Sequence, residues 1–358
     1  MRGVGKRLRS CCAVLALVGG FQPLEGQSLS YSRGQTVAPA YEGFEVNPDG
    51  SYNLVFGYMN RNWLEELDVP IGPDNYFSLV DAGSLDDVER DAYDPAQADR
   101  GQPTHFLPRR NRFTFKVRVP ASFGEQELVW TLKTRGETKR AFASLRQDLL
   151  IDNIVIASET GALGAGRSDP ETRSNTAPRI VLESPRTVEA RVGQPVTLRA
   201  WVTDDGLPMT QAARRERARA QRAASARGEA APASADSARD AAADSISPEM
   251  RALQRAFTEP DRVTVNKTVG LHFAWFVYRG EANADFQPIQ IKTWEDSRAW
   301  MNSPWSPFWV APPKPEDDRW VVQVTFDEPG TYVLRGRADD GALYADEEVT
   351  VNVTPLVN

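Results

Sequence analysis

Phe273-Ala274-Trp275-Phe276-Val277-Tyr278-Arg279-Gly280 is the stretch on which the fold turns. It reads as a strand, in which successive side chains point to opposite faces. If Phe273, Trp275 and Val277 face a core, Ala274, Phe276 and Tyr278 line the other face, so both sides are apolar and the outer one needs a cover. Strand patterns recur on both sides of it. Tyr52, Leu54, Phe56 and Tyr58 share a face after the turn Asn47-Pro48-Asp49-Gly50; Phe113, Phe115, Val117 and Val119 alternate with Arg112, Thr114, Lys116 and Arg118; Leu128, Trp130 and Leu132 alternate with Val129, Thr131 and Lys133. One dry face and one wet face is the pattern of antiparallel sheets packed on a core, and no helical stripe of comparable length interrupts them.

Val196-Thr197-Leu198-Arg199-Ala200, the Trp275 stretch, and Glu328-Pro329-Gly330-Thr331-Tyr332-Val333-Leu334 resemble strands B, C and F of an immunoglobulin-like domain. In that superfold a buried Trp on strand C packs across a B–F disulfide, and a Tyr at the start of F bonds back to the chain. The resemblance assigns those roles to Trp275 and Tyr332. It puts Ala200 and Leu334 at the cysteine positions, which makes the cross-sheet pin apolar. Asp339-Asp340-Gly341 and Val349-Thr350-Val351-Asn352-Val353 are similar to the end of bacterial PKD and cadherin-like modules, without the aromatic core motif of true PKD domains. The stretch Gln102-Pro103-Thr104-His105-Phe106-Leu107-Pro108-Arg109-Arg110 is similar to one in secreted bacterial proteins. The expected fold is all-β, two immunoglobulin-like antiparallel β-sandwiches, and the superfold by itself implies no function.

A chain of 358 residues exceeds one ordinary hydrophobic core. Residues 1–26 read as a signal peptide: Arg2, Lys6, Arg7 and Arg9 precede an apolar run over residues 11–21, with cleavage expected near Gly26-Gln27. The run is too short to span a bilayer, so a secreted or periplasmic protein with no membrane insertion after cleavage is expected. Residues 35–158 form the first expected domain, 159–177 a flexible linker rich in Gly and Ser, and 178–354 the second domain. The two cysteines, Cys11 and Cys12, both lie in the leader, so the mature chain has no disulfide, no thiolate metal site and no cysteine nucleophile. Losing residues 1–26 removes four basic groups and one acid and moves the net charge from −7 to −10, which argues against nucleic acid as a partner.

Residues 207–270 interrupt the second domain with a long Ala- and Arg-rich insertion, partly helical or disordered. Residues 211–227 have high helix propensity, but only alanines could form an apolar face, so the sequence supports a solvated helix. Thr203-Asp204-Asp205-Gly206 and Ala338-Asp339-Asp340-Gly341 end strands B and F. Their loops share one end of such a sandwich, so Asp204, Asp205, Asp339 and Asp340 are candidate ligands for Ca²⁺. Asp-Gly turn chemistry, with each carboxylate bonding its own backbone, accounts for the same residues and is the simpler reading. No other cofactor is expected.

Five of the nine tryptophans are Trp294, Trp300, Trp305, Trp309 and Trp320. A segment this rich in indole and proline suits an irregular cover for the outer face of the Trp275 strand. Trp294, Trp300, Trp305 and Trp309 are also candidates for stacking on sugar rings or for a protein hot spot. Of the two histidines, His105 lies in a Pro-flanked turn and His272 begins the Trp275 strand pointing outward; neither has a partner nearby in sequence. No nucleophile elbow, zinc-binding helix or phosphate loop is present, and Glu65 and Glu66, as neighbours on a strand, face opposite ways. The expectation is a non-catalytic binding or scaffold protein of the cell envelope or exterior that engages a protein partner through its loops. The alternative is a carbohydrate-binding module, or an accessory part of a carbohydrate-active enzyme, that meets polysaccharide through the tryptophan segment.

Overall fold

The computed structural model describes residues 31–81, 93–160, 170–226, 270–280, 284–293 and 314–356. In the first half, Leu54, Phe56 and Tyr58 of β2 (Tyr52–Asn60) face the same interior as Phe115, Val117 and Val119 of β6 (Arg109–Val119). β2 pairs antiparallel with both β1 (Val37–Val46) and β6. A second antiparallel sheet has β7 (Glu127–Thr134) between β4 (Asn75–Val80) and β8 (Glu137–Ala143). Phe56 and Phe115 from one sheet meet Phe77 and Trp130 from the other, with ring centroids 5.0 Å apart for Phe115 and Trp130 and 5.9 Å for Phe77 and Trp130. The Trp130 indole donates to Asn75 Oδ1 at 3.0 Å, and the buried Asn75 amide donates in turn to the carbonyls of Val69 and Pro103. A short ribbon of β3 (Leu67–Asp68) and β5 (His105–Phe106) closes one end. In chain order the strands map as A-B-E against C-F-G, the immunoglobulin-like arrangement without strand D.

The second half repeats that order in fuller form. One sheet runs β13 (Ala284–Gln287), β14 (Arg319–Phe326), β11 (Val196–Thr203), β9 (Arg179–Leu182), which is D-E-B-A. The other runs β10 (Thr187–Arg191), β16 (Tyr344–Thr354), β15 (Gly330–Asp339), β12 (His272–Arg279), or A′-G-F-C, with β10 parallel to β16 and the remaining pairs antiparallel. Trp275 is buried between the sheets with Ala200 and Leu334, and the Tyr332 hydroxyl donates to the Glu328 carbonyl at 3.0 Å. The pin that a disulfide makes elsewhere is therefore hydrophobic here, as the sequence implies.

Gly336 sits opposite Trp275 in register, and a Cβ there would lie 2.6 Å from Phe273 Cζ and 3.2 Å from Trp275 Cδ2. Gly336→Ala is expected to cost about 1–3 kcal/mol by overpacking two ring systems that cannot retreat. Urea denaturation would show this as a lower midpoint at unchanged slope, and an unchanged midpoint would contradict the packing described.

Among the described residues three α-helices lie outside the sheets: α1 (Asn153–Thr160), α2 (Pro170–Ser174) and α3 (Gln211–Ala226). Thr210 caps α3, its hydroxyl accepting from Ala213 N–H at 3.1 Å. The side chains of α3 are exposed or half-buried, as the solvated-helix reading expects. Among the described residues no helix is long and apolar enough to cross a membrane.

Candidate functional site

The outer face of β12 does not meet solvent. Phe276 and Tyr278 are buried in the apolar core of the first sandwich, so that sandwich supplies the cover the sequence demanded. Trp294, Trp300, Trp305 and Trp309, to which the sequence reading gave that task, lie outside the described residues. His272 is buried rather than outward-facing, its ring edge-on to Trp320 with centroids 6.0 Å apart.

The seam between the sandwiches is built around a bulge. In the β2–β6 ladder Phe56 pairs with Phe115 and Tyr58 with Asn111, so residues 112–114 oppose Gly57 alone, and Phe113 takes a left-handed φ of 49°. Gly57 is required there, because a Cβ would lie 2.5 Å from the Asn111 carbonyl oxygen and against Glu42. The bulge turns the carbonyls of Arg112, Phe113 and Thr114 away from the ladder and toward the second sandwich, where two buried arginines of β15 take them. Arg337 grips Asp346 with two bonds of 2.7 Å and donates to Phe113 O at 2.8 Å and Arg112 O at 3.3 Å. Arg335 donates to Thr114 O and, through Nε at 2.9 Å, to Glu348; its guanidinium carbon stands 3.3 Å from the centroid of the Tyr278 ring. Burial disfavours the charge on both guanidiniums. The surrounding Tyr278, Asp346 and Glu348 outweigh it at Arg335, and Asp346 and Tyr344 do so at Arg337, so both are held above the ordinary arginine range.

Further cations extend the seam. Arg279 pairs with Asp99 at 2.7 Å and donates to Gln102 O, and Lys292 donates to Pro108 O at 2.5 Å. Backbone joins backbone where Thr104 N–H meets Tyr278 O at 3.2 Å. Leu343 and Tyr344 complete a small cluster with Val55, Phe113, Ile151 and Ile156. Along the seam runs an open cleft of about 630 Å³ lined by Lys116, Arg186, Tyr278, Arg335 and Glu347 among others.

On the β3–β5 ribbon His105 is buried between two carboxylates, with Nδ1 2.7 Å from Asp68 and Nε2 2.7 Å from Glu66. Burial lowers the affinity of the ring for a proton, but the hydrogen bonds and charges of Asp68 and Glu66 together overcome it and raise the pKa to about 9. At neutral pH the ring is an imidazolium held from both sides. The two carboxylates are about one-third exposed and line a surface cleft with Asp74, Lys133 and Arg135.

The four aspartates that end β11 and β15 are engaged in turns. Asp204 accepts from Gly206 N–H and Asp339 from Gly341 N–H; Asp205 accepts from Leu207 N–H and from the Thr176 backbone and hydroxyl. Asp340 accepts from Ala342 and Leu343 N–H and from the Asn175 amide, and burial beside Asp339 pushes its pKa up to about 7. Asp205 and Asp340 thus fix residues 175 and 176, where the chain enters the second sandwich. Among the described residues no three His, Cys, Asp or Glu side chains are grouped as a metal-binding set.

The sequence matches no protein family and no curated protein. Solved structures similar to the chain include a chimeric titin Z1Z2 tandem, at 11% identity over 89% of this chain and 98% of that one with a TM-score of 0.21. Domains 1–6 of the surface-layer protein SbsC align at 9% identity over 90% of this chain and 28% of that one, TM-score 0.21. Three N-terminal domains of the bacteriophage RB49 outer capsid protein Hoc align at 9% identity over 89% and 58%, TM-score 0.18. Scores this low bear on neither function nor detailed fold, and the immunoglobulin-like assignment stands on strand order.

Sequence reasoning missed the arginine seam and the His105 clamp. The one signal for the seam was the doubly apolar β12, which announced a covered face without saying by what. The clamp joins residues 37 and 39 positions apart and left no local trace.

Proposed function

We propose that the protein is an exported, non-catalytic binding or scaffold module that engages a protein of the cell envelope or exterior through the loop end of its second sandwich. The observation that carries this reading is the combination of a cation-bonded seam with a charged helix displayed from a B–C loop. The seam holds the two sandwiches at one mutual orientation. α3 leaves the B–C loop held at its start by the Thr210 cap and the Arg214–Glu171 pair at 2.8 Å, and carries Arg215 and Arg219 on one exposed face. A basic helix on a net-acidic chain suits electrostatic recognition of an acidic protein surface.

The test is affinity capture from native membranes with the wild type and with the Arg215→Glu/Arg219→Glu double variant. One specific protein recovered by the wild type and lost by the variant, at an unchanged melting temperature, is the expected result. Equal recovery by both would overturn the assignment to α3. Retention on polysaccharide that disappears with Trp300→Ala, Trp305→Ala and Trp309→Ala would favour the carbohydrate reading instead.

A further inference from the structure

His105 stands in the stretch of the first sandwich that carries the second. Residues 101–108 meet it repeatedly: the Tyr278 hydroxyl donates to Gly101 O, Arg279 Nε to Gln102 O at 2.8 Å, and Lys292 Nζ to Pro108 O at 2.5 Å. Thr104, the residue before His105, is the meeting point. Its N–H donates to Tyr278 O at 3.2 Å, its hydroxyl accepts from Gly280 N–H at 3.1 Å, and its carbonyl accepts from Val69 N–H, just beyond β3, at 2.8 Å. On either side, Asn75 and Asn60 hold the carbonyls of Pro103 and Phe106. Between those two ties, Thr104 and His105 are held from the β3 side, by Val69 and by the carboxylates of Glu66 and Asp68; the β3–β5 ladder itself is only the pairs Leu67–Phe106 and Asp68–His105.

The clamp is complete only while the ring carries two protons. An ionised carboxylate accepts and cannot donate, so Asp68 at Nδ1 and Glu66 at Nε2 each require an N–H, and a neutral imidazole has one. Losing the second proton sets a ring lone pair against a carboxylate oxygen at 2.7 Å. That carboxylate must turn away, and both are about one-third exposed and border a cleft into which they can turn. We propose that His105 is a proton-operated latch between the sandwiches: the imidazolium keeps β3 drawn onto β5 and Thr104 seated on Tyr278 and Gly280, and loss of its proton at alkaline pH frees that end of the seam. The other end stays closed, since Arg335 and Arg337 are held above the ordinary arginine range and keep their bonds to the carbonyls of residues 112–114. The second sandwich then rocks about the arginine end. No other charge replaces the lost one: Glu65, Asp74, Lys133 and Arg135 line the cleft beyond Glu66 and Asp68, and Arg279 and Lys292 bond the carbonyls of Gln102 and Pro108. Tyr58, whose hydroxyl accepts from Leu107 N–H, is pushed above the usual tyrosine range by burial and does not titrate with the ring.

The test places spin labels at Val46→Cys and Val321→Cys, exposed sites one in each sandwich, in the full chain with Cys11 and Cys12 replaced by serine. Double electron–electron resonance is expected to give one narrow distance distribution at pH 7 and a broader or displaced one at pH 10, half-changed near pH 9, with the far-UV circular dichroism unaltered. His105→Gln, whose amide donates from one end only, is expected to show the alkaline distribution at both pH values. Asp68→Asn does the opposite: its amide can turn to donate to the neutral ring, so the narrow distribution is expected to persist at pH 10. An unchanged wild-type distribution, a change accompanied by loss of the circular dichroism signal, or a pH-dependent change that survives in His105→Gln or Asp68→Asn would each overturn the proposal. The comparison of wild type with Asp68→Asn decides it even if His105→Gln fails to fold.

Discussion

Arg337→Met is expected to destabilise the folded chain by about 3–5 kcal/mol, the range for breaking a buried ion pair by removing one partner. The residue is 2% exposed and its side chain serves three acceptors at once: the Asp346 carboxylate and the carbonyls of Arg112 and Phe113. Methionine fills much of the volume but leaves a carboxylate and two carbonyls unbonded inside the seam. The loss should fall on the junction rather than on either core, because Trp275 and Trp130 sit in separate clusters that Arg337 does not join. Calorimetry is therefore expected to show one transition for the wild type and two for the variant. Adding Asp346→Leu should restore part of the loss by removing the stranded carboxylate, and only part, because the two carbonyls remain. One cooperative transition at the wild-type temperature in Arg337→Met would show that the seam does not couple the sandwiches.

The second large effect is a dependence on alkaline pH. His105 binds its proton with a pKa of about 9 in the folded chain, against 6.5 for an ordinary histidine. The folded state therefore holds the proton more tightly than the unfolded one. The stabilisation is fully present below pH about 6.5 and is lost as pH rises through about 9, a total of about 3 kcal/mol. Urea midpoints measured from pH 6 to pH 9.5 should fall steadily for the wild type. In His105→Gln, which still reaches Glu66 and Asp68 but has no proton to lose, they should start lower and, once buried Asp340 has titrated near pH 7, stay flat to pH 9.5 while those of the wild type keep falling. Parallel slopes in the two proteins would refute the imidazolium clamp.

What could be read from the chain beforehand follows from how local each signal is. Trp275, Tyr332, Ala200 and Leu334 carry their roles in short, strand-sized patterns, and the structure puts all four where the pattern implies. The alternation at Phe115, Val117 and Val119 is equally local, and all three are buried in the first core, whereas the bulge takes Phe113 off that face into the cluster with Val55 and Leu343. It failed as a guide to the wet faces. Arg335 and Arg337 alternate with Leu334 and Ala338 as solvent-facing residues do, yet they are buried because a neighbouring sandwich lies on them. Thr114 and Val55 are buried for related reasons, one at the seam and one beneath the α1 cluster. A period of two reports which residues share a face; it does not report whether that face meets water or another domain.

The bulge at residues 112–114 gives the junction an uneven tolerance to change. What the first sandwich offers these two arginines is main chain, the carbonyls of Arg112, Phe113 and Thr114. The second sandwich offers two guanidiniums, each bridging a carboxylate and a carbonyl in one plane, and a lysine ammonium cannot span both. Sequence drift is thus freer beneath those carbonyls than at the guanidiniums, and a new first sandwich grafted onto Arg335 and Arg337 would have to reproduce the backbone path together with the apolar contacts that Val55 and Phe113 make with Leu343 and Tyr344.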